Sequence, residues 1–580
     1  ALWNGGLGFS PIGVTTNAYT GMFDGNNFQI INLAINAPAS TDVGLFGLVG
    51  GASVISNLNI TGTVIGNNNV GGIAGRNNGS IIDSNSSGQV SGVNNTGGAV
   101  GVNNGTVNNV ISTGTVFGSN AIMGGLVGNN NGSIVNSNSS SIVTGGNNVN
   151  SVGGLVGVSG GSISGSFSTG AVSVGTDSRE VGGLVGHNNI GGLVSNSFSS
   201  SSVTAPNGLL RLGGLVGLNR GTITGSNSSG TVNVTGPISV SVGGLVGRND
   251  NIITQSFSSS TVIATNVDSA AGLVGLNETT GSITDSYSTG NVIGTDNLRT
   301  AGLIAENRGV VDNVFSSANV TGIGTITNLS VAGLIGRNEG TVTNAYSTGR
   351  ITATGSTFVG GLIGRMFGGS IDNVYSTSPI TATNSSQIGG LVGSNESGST
   401  INHAFSAGLV SVDSNSTLFG GLVGLNDATS SVNDSFWNTD TTGLSSGVGQ
   451  NTGTVTNVSG GCFGSACSNG GTVNLTEQAT YTTAPHNWDF AATWDIIEGS
   501  SYPYLQAFYP TAPRAITGFT TLPNQAITVA ANGSIIDTGF SAANGFYYML
   551  AGNNAISGID QSIADFAPVL AFINNQSIVG

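Results

Sequence analysis

The chain has 580 residues, of which only 6% are charged and 98 are Gly, and its net charge at pH 7 is −15. All 11 basic residues are Arg, so a phosphate backbone or an anionic bilayer would be repelled, which excludes nucleic-acid binding and polybasic membrane attachment. No apolar run approaches the roughly 18 residues of a membrane-spanning helix; the longest, FAPVLAFI at 566–573, is far too short.

Hydrophobic residues make up 38% of the chain and are rich in Val and Ile. A chain that is apolar and weakly charged has the means to build a core, unlike the charged, hydrophobe-poor sequences that stay open. It begins at ALWNGGLGFSPIG without a secretion leader, and reads as a processed or trimmed piece of a longer secreted protein. Residues 1–45 are expected to form an N-terminal capping segment.

From residue 46 to 434 one phrase recurs. Copies of GGLVG or close variants start at Gly47, Gly72, Gly98, Gly125, Gly154, Gly183 and onward to Gly421, at intervals of 25 to 31 residues. A fixed period in this range is the mark of a solenoid, here with about fourteen units. Each unit continues through a turn such as RNEG, a run such as TVTNAYSTG, and a β-branched stretch such as RITA. Helix formers are scarce, while Val, Ile, Thr, Tyr and Phe fill short segments punctuated by Gly, Asn and Asp. The prediction is all-β: about three short strands per unit, stacked in register and parallel as a β-solenoid (parallel β-helix).

Within a unit, the aliphatic pair (Leu155–Val156, Leu215–Val216, Leu245–Val246) is expected in the core. The adjacent Gly pair leaves room for neighbouring chain at a corner. Asn residues suit left-handed turn positions and can form ladders between coils. Ile163 and Phe167 share a face if the strand alternates simply, but a bend at Gly165 would send them to opposite faces. Both arrangements remain open at this stage.

Residues 435–510 break the repeat and hold the only two cysteines, Cys462 and Cys467, in CFGSAC. In a secreted protein these are expected to form a disulfide. Residues 511–580 read as a small C-terminal β-rich module, with a short helix capped at Asp560 and stopped by Pro568. The four Trp residues, Trp3, Trp437, Trp488 and Trp494, sit mostly at the non-repeating ends. Aromatic bulk there is expected to cap the solenoid or pack against it over 475–510. For 511–580 the expectation leans toward contact with another chain or a following domain.

The catalytic motifs are absent or incomplete. None of His187, His403 and His486 lies in HExxH or has a second His at metal-ligand spacing. GVSGG at 157–161 matches the nucleophile-elbow pattern but is one copy of the inter-strand turn. The acidic residues Asp250, Glu278, Asp285, Glu306, Glu339 and Glu396 are scattered singly. Only Glu278 and Glu306 fall near equivalent positions, where stacked carboxylates would suit a weak cation site better than acid–base catalysis. NTDTTG at 438–443 lacks the rest of a calcium loop. Sequons occur at Asn85, Asn138, Asn227 and Asn384, though a chain this rich in Asn, Ser and Thr generates them by chance. No enzyme activity, cofactor or metal is expected.

The pattern GGLVGxNxGxIxxSxSxGxV resembles the GLUG repeat of bacterial secreted and surface proteins, found in filamentous-haemagglutinin-like exoproteins and as a non-catalytic region of some immunoglobulin-A-cleaving metalloproteases. FSPIG…VGLFGLVG (9–50) resembles the segment that precedes such arrays. SFWNTDTTG (435–443) and NWDFAATWDIIEGSSYPYL (487–505) resemble the one that closes them. The resemblance implies a right-handed parallel β-helix at the cell surface and no particular ligand. The expected function is a non-enzymatic extracellular or cell-surface protein, a rigid solenoid in adhesion or matrix and biofilm interaction, with glycans or neighbouring-cell proteins as partners. The alternative is a subunit that assembles head to tail into an extracellular filament.

Overall fold

The computed structural model describes residues 7–119, 122–206, 208, 211–236, 240–531, 534–563 and 568–573. Trp3 lies outside the described residues. The fold is all-β, a parallel β-solenoid of about 15 turns with a small β-rich C-terminal module. The chain divides into two compact units, Ala1–Ser282 and Ile283–Gly580.

In the first unit, each coil contributes to three parallel sheets. In the coil that starts at Ser151, strand Ser151–Gly153 pairs with Ile122–Gly124 and Glu180–Gly182. Strand Val156–Ser159 pairs with Val127–Asn130 and Val185–Asn188. The third side is broken into Ser162–Ser164, Phe167–Ser168 and Val172–Ser173. Three sides per coil agree with the expectation; the third is segmented because the chain bends within it.

That bend settles the parity left open by the sequence. Gly165 has φ +55°, and the equivalent Asn136 and Asn196 have φ 48° and 46°. One left-handed residue reverses the alternation, so Ile163 is fully buried while Phe167 faces outward and stacks on Phe198 of the next coil at 4.8 Å. Asn, Asp and Gly recur here because they tolerate this conformation best. The bend interrupts the backbone ladder, and a buried Ser hydroxyl fills the gap: Ser137 N–H donates to Ser166 Oγ at 3.1 Å, and Ser166 N–H to Ser197 Oγ at 3.2 Å.

Leu155, Val156, Leu215, Val216, Leu245 and Val246 are all fully buried. The Gly pair marks a place where coils nearly touch. A Cβ on Gly154 would lie 2.0 Å from the Gly183 carbonyl oxygen of the next coil. Inside the following corner runs an Asn ladder: Asn77 Nδ2 donates to Asn103 Oδ1, and Asn103 Nδ2 to Asn130 Oδ1, each at 2.8 Å. Along this stretch each buried Nδ2 finds an acceptor on the coil beside it, so the polar row costs little and fixes the register.

Residues 8–24 lie along the edge of the first coil. Ile12 bridges Phe46 and Tyr19 bridges Val49, both parallel, and strand Met22–Asp24 pairs with Val54–Ser56. The rings of Tyr19 and Phe23 pack on buried Phe46 at 5.1 and 5.4 Å.

The second unit repeats the coil and adds a lateral cover. The outward position of Phe167 becomes an unbroken aromatic column, Tyr287, Phe315, Tyr346, Tyr375 and Phe405, stacked at 4.8 to 5.0 Å with rings within 5° of parallel. Phe508 meets Phe315 and Tyr346 edge-on, Trp494 leans on Tyr375 and Phe405, and Tyr502 on Phe405. Trp488 and Trp494 therefore cover the flank of these coils, not an open end. Trp437 is the one that works as a plug. It takes the inward position of Ser406 in the preceding coil, and a Cβ on Gly421 or Gly447 would strike its ring.

Described residues of the 511–580 segment, expected to contact another chain or a following domain, also lie against this unit's coils. Asn554 Nδ2 donates to the Tyr346 hydroxyl at 3.1 Å, and Arg350 donates to the Asn524 carbonyl at 2.9 Å. The physical reason is the aromatic column, which would otherwise face water. The module consists of antiparallel strands, including Arg514–Phe519 with Phe546–Ala551 and Ala526–Ala531 with Ser534–Phe540. Where a helix capped at Asp560 was expected, Ile559–Asp560 instead pairs with Asn553–Asn554. Residues 564–567 of that expected helix lie outside the described residues.

Candidate functional site

The three histidines are held structurally. His187 Nδ1 lies 3.5 Å from Glu180, which also takes Arg211 at 3.1 Å and the Ser151 hydroxyl at 2.7 Å. Burial pushes the Glu180 carboxyl up, but the bonds from His187 and Ser151 outweigh it and leave the group below its ordinary value. His403 occupies the left-handed bend, with φ 42°, and is 2.7 Å from Asp372. His486 lies 3.4 Å from Asp434. Ser159 of GVSGG is fully buried; it takes a place in the Asn ladder, accepting from Asn130 Nδ2 at 3.1 Å. Its hydroxyl is inside the corner, not at an exposed elbow.

Glu278 and Glu306, which the spacing suggested as stacked carboxylates, are each taken by arginine within their own unit. In the first unit Glu278 pairs with Arg248 at 3.2 Å, and Asp250 with Arg248 at 2.6 Å. In the second unit Glu306, only 1% exposed, binds Arg299 at 3.2 Å and Arg308 at 2.8 Å. Glu339 binds Arg337, and Glu396 binds Arg365, both at 2.7 Å. Arg337 and Arg365 fall in register with Glu306, so one acid is followed by two arginines along this column, which the spacing of the acids alone did not reveal. Asp285 lies at the left-handed bend, with φ 48°.

Residues 438–443 make a capped turn. Asn438 accepts from the N–H groups of Asp440 and Thr441, each at 2.9 Å, and Gly443 closes it at φ 78°. Asp440 accepts from the Ser468 and Asn469 N–H groups, so its oxygens tie two loops together. Cys462 and Cys467 are bonded to each other in the loop beside that turn.

What the first unit offers to a partner is a regular outward column at the Phe167 position. In register along it lie Asn59, Asn85, Ile111, Asn138, Phe167 and Phe198, continued by Asn227 and Phe257. Ile111 is 36% and Phe198 38% exposed. Neighbouring amides bond along the row, Asn85 to Asn59 at 2.5 Å. The sequons at Asn85, Asn138 and Asn227 are members of this column. Its counterpart in the second unit is the column covered by residues 475–563. There the covering segment also encloses a cleft whose Asp537 and Tyr509 no sequence motif marked.

Comparison with known proteins agrees with this architecture. The GLUG motif matches residues 269–293 and 327–352, so the chain is a β-solenoid that carries GLUG motifs. Over 81 residues it is 47% identical to halomucin of Haloquadratum walsbyi, a match covering 14% of this chain and 1% of that protein. Over 83 residues it is 36% identical to a putative Gly-rich membrane protein of Evansella cellulosilytica, covering 14% of this chain and 10% of that one. The matched regions thus span a small part of both relatives. No solved structure matches the chain.

Proposed function

We propose that the chain is a non-enzymatic surface protein whose solenoid displays a repetitive, weakly charged face for adhesion or matrix contact outside the cell. The observation that carries this reading is the outward column of amides, aliphatics and rings between Asn59 and Phe257, one side chain per coil. Contacts of this kind are individually weak, and avidity comes from their number along one stiff scaffold. The name of the Evansella relative supports a place at the cell envelope, and glycans or neighbouring-cell proteins are the partners such a face suits. The absence of enzyme activity is part of the proposal. It is supported by the roles of the three histidines, each set beside a carboxylate, and of Ser159, whose hydroxyl sits in the Asn ladder.

Filament assembly has less support. Head-to-tail pairing uses exposed strand edges, and residues 8–24 already lie along the edge of the first coil. The test is retention of purified, labelled protein on cells and extracellular matrix of the producing organism, alongside Phe167→Ser/Phe198→Ser. Retention that drops at least severalfold in the double variant supports the reading. Equal retention, or none for either protein, overturns it. Negative-stain images of the same samples distinguish single particles from filaments.

A further inference from the structure

Between the aromatic column and the module lies a cavity of about 260 Å³. Its floor is ring edges from Tyr287, Phe315, Tyr346 and Tyr375, with the residue two further along each coil, Thr289, Ser317, Thr348 and Thr377, adding one hydroxyl per turn. Its roof is Tyr509, Asp537, Phe540 and Asn554. The size falls just under the ~300–1,000 Å³ of small-molecule sites, with room for a single ring-sized guest.

The charge is one-sided. Among the described residues Asp537 is the only ionised side chain in the lining, and it accepts a hydrogen bond from the Thr538 N–H at 2.8 Å. The nearby base, Arg350, is spent elsewhere: it donates to the Asn524 carbonyl and lies 4.3 Å over the Phe540 ring. The other titratable groups facing Asp537 are phenols, chiefly Tyr509 and Tyr548. Burial raises the Asp537 carboxyl to about 6 and the Tyr509 phenol to about 12. At neutral pH the cleft therefore holds an anion without a counter-charge. Half-buried in the cleft, such a charge gains from a cation that also donates hydrogen bonds.

We propose that this cleft binds a hydroxylated primary amine of one-ring size, an amino-sugar residue, with its ammonium on Asp537 and its hydroxyls on the Thr/Ser row. An apolar floor with a row of hydroxyls suits the mixed apolar and hydroxylated surface of a pyranose, and the carboxylate selects the amine over a neutral sugar. The assignment is independent of the adhesion reading, which rests on residues of the first unit.

The experiment is titration calorimetry of the full chain with methyl glucosaminide, methyl glucoside and methyl N-acetylglucosaminide, repeated with Asp537→Asn and Thr348→Val. Thermal melts confirm that each variant is folded. The expected result is binding of methyl glucosaminide about tenfold or more tighter than the two neutral glycosides, as a lost charge-assisted bond implies. That preference should vanish in Asp537→Asn and weaken as pH falls below 6. Thr348→Val should weaken all three sugars alike. Equal affinity for the three glycosides, unchanged selectivity in Asp537→Asn, or no binding of methyl glucosaminide at millimolar concentration overturns the proposal.

Discussion

Phe508 meets Tyr346 edge-on, with ring centroids 4.8 Å apart, and through this contact the covering segment is anchored to the solenoid column. Edge-to-face geometry places the positive ring edge on the negative ring face, and Phe508 is fully buried. Truncating it to Ala should cost about 3–5 kcal/mol. Limited proteolysis should then cut residues 475–563 first, leaving the repeats intact. A digestion pattern identical to that of the unaltered protein would show that the docking rests on other contacts.

The coil was legible because its determinants are local. The period, the Gly pair, the Leu–Val core and the Asn ladder all follow from side-chain type at fixed spacing. The direction of Phe167 was not legible, because one left-handed residue at Gly165 reverses it and both conformations are open to Gly. Nor was the cover over Tyr346. It depends on Phe508, Trp494 and Asn554 meeting the column across 89 to 208 residues of chain, and no periodicity encodes such a contact. The same holds for Asp537, a solitary acid until the fold sets it beside Tyr509. Glu278 and Glu306 misled for a related reason: their spacing was visible, but their arginine partners lie on different strands.

Leu215 is fully buried, and its N–H donates to the Leu245 carbonyl of the next coil at 2.9 Å. Leu215→Ala removes side-chain packing shared with both adjacent coils and should destabilise the solenoid by about 2–5 kcal/mol. Denaturant melts measure this directly; a loss below about 0.5 kcal/mol, as surface positions give, would contradict its place in the core.

Gly154→Ala tests the close approach of coils. The added methyl meets the Gly183 carbonyl oxygen at 2.0 Å, and a backbone atom held by ladder bonds on both sides cannot step aside. The cost should be about 1–3 kcal/mol or more. Gly160→Ala is the control, since its nearest neighbour is Asn131 at 3.9 Å and a methyl there meets no clash.

Cys462 and Cys467, five residues apart, close a short loop. Constraining so few residues in the unfolded chain is worth about 2 kcal/mol at most. Mass spectrometry without reduction should find neither thiol open to alkylation. Cys462→Ser/Cys467→Ser should lower stability modestly while leaving the repeats folded, and two readily alkylated thiols in the unaltered protein would refute the bond.

His403 gives the docked segment a pH dependence. Its Nδ1 lies 2.7 Å from Asp372 and its Nε2 3.2 Å from Asn487, and the ring of Trp488 stands edge-on at 6.2 Å. The bond to Asp372 raises the imidazole above its ordinary value; burial opposes it, and Asn487 adds to the rise. Because the folded state holds the proton more tightly than the unfolded chain, the stabilisation is complete below the ordinary His value of about 6.5. It is lost as pH rises through the elevated value. His403→Asn is the informative change, since Asn373 and Asn344 already occupy this bend in neighbouring coils with φ 54° and 48°. The left-handed backbone is thus kept while the titration is removed. Urea midpoints followed by Trp fluorescence should fall for the unaltered protein as pH rises above the ordinary His value and stay nearly level for His403→Asn, the two converging at the alkaline end. A parallel pH slope in both proteins would place the titrating group elsewhere.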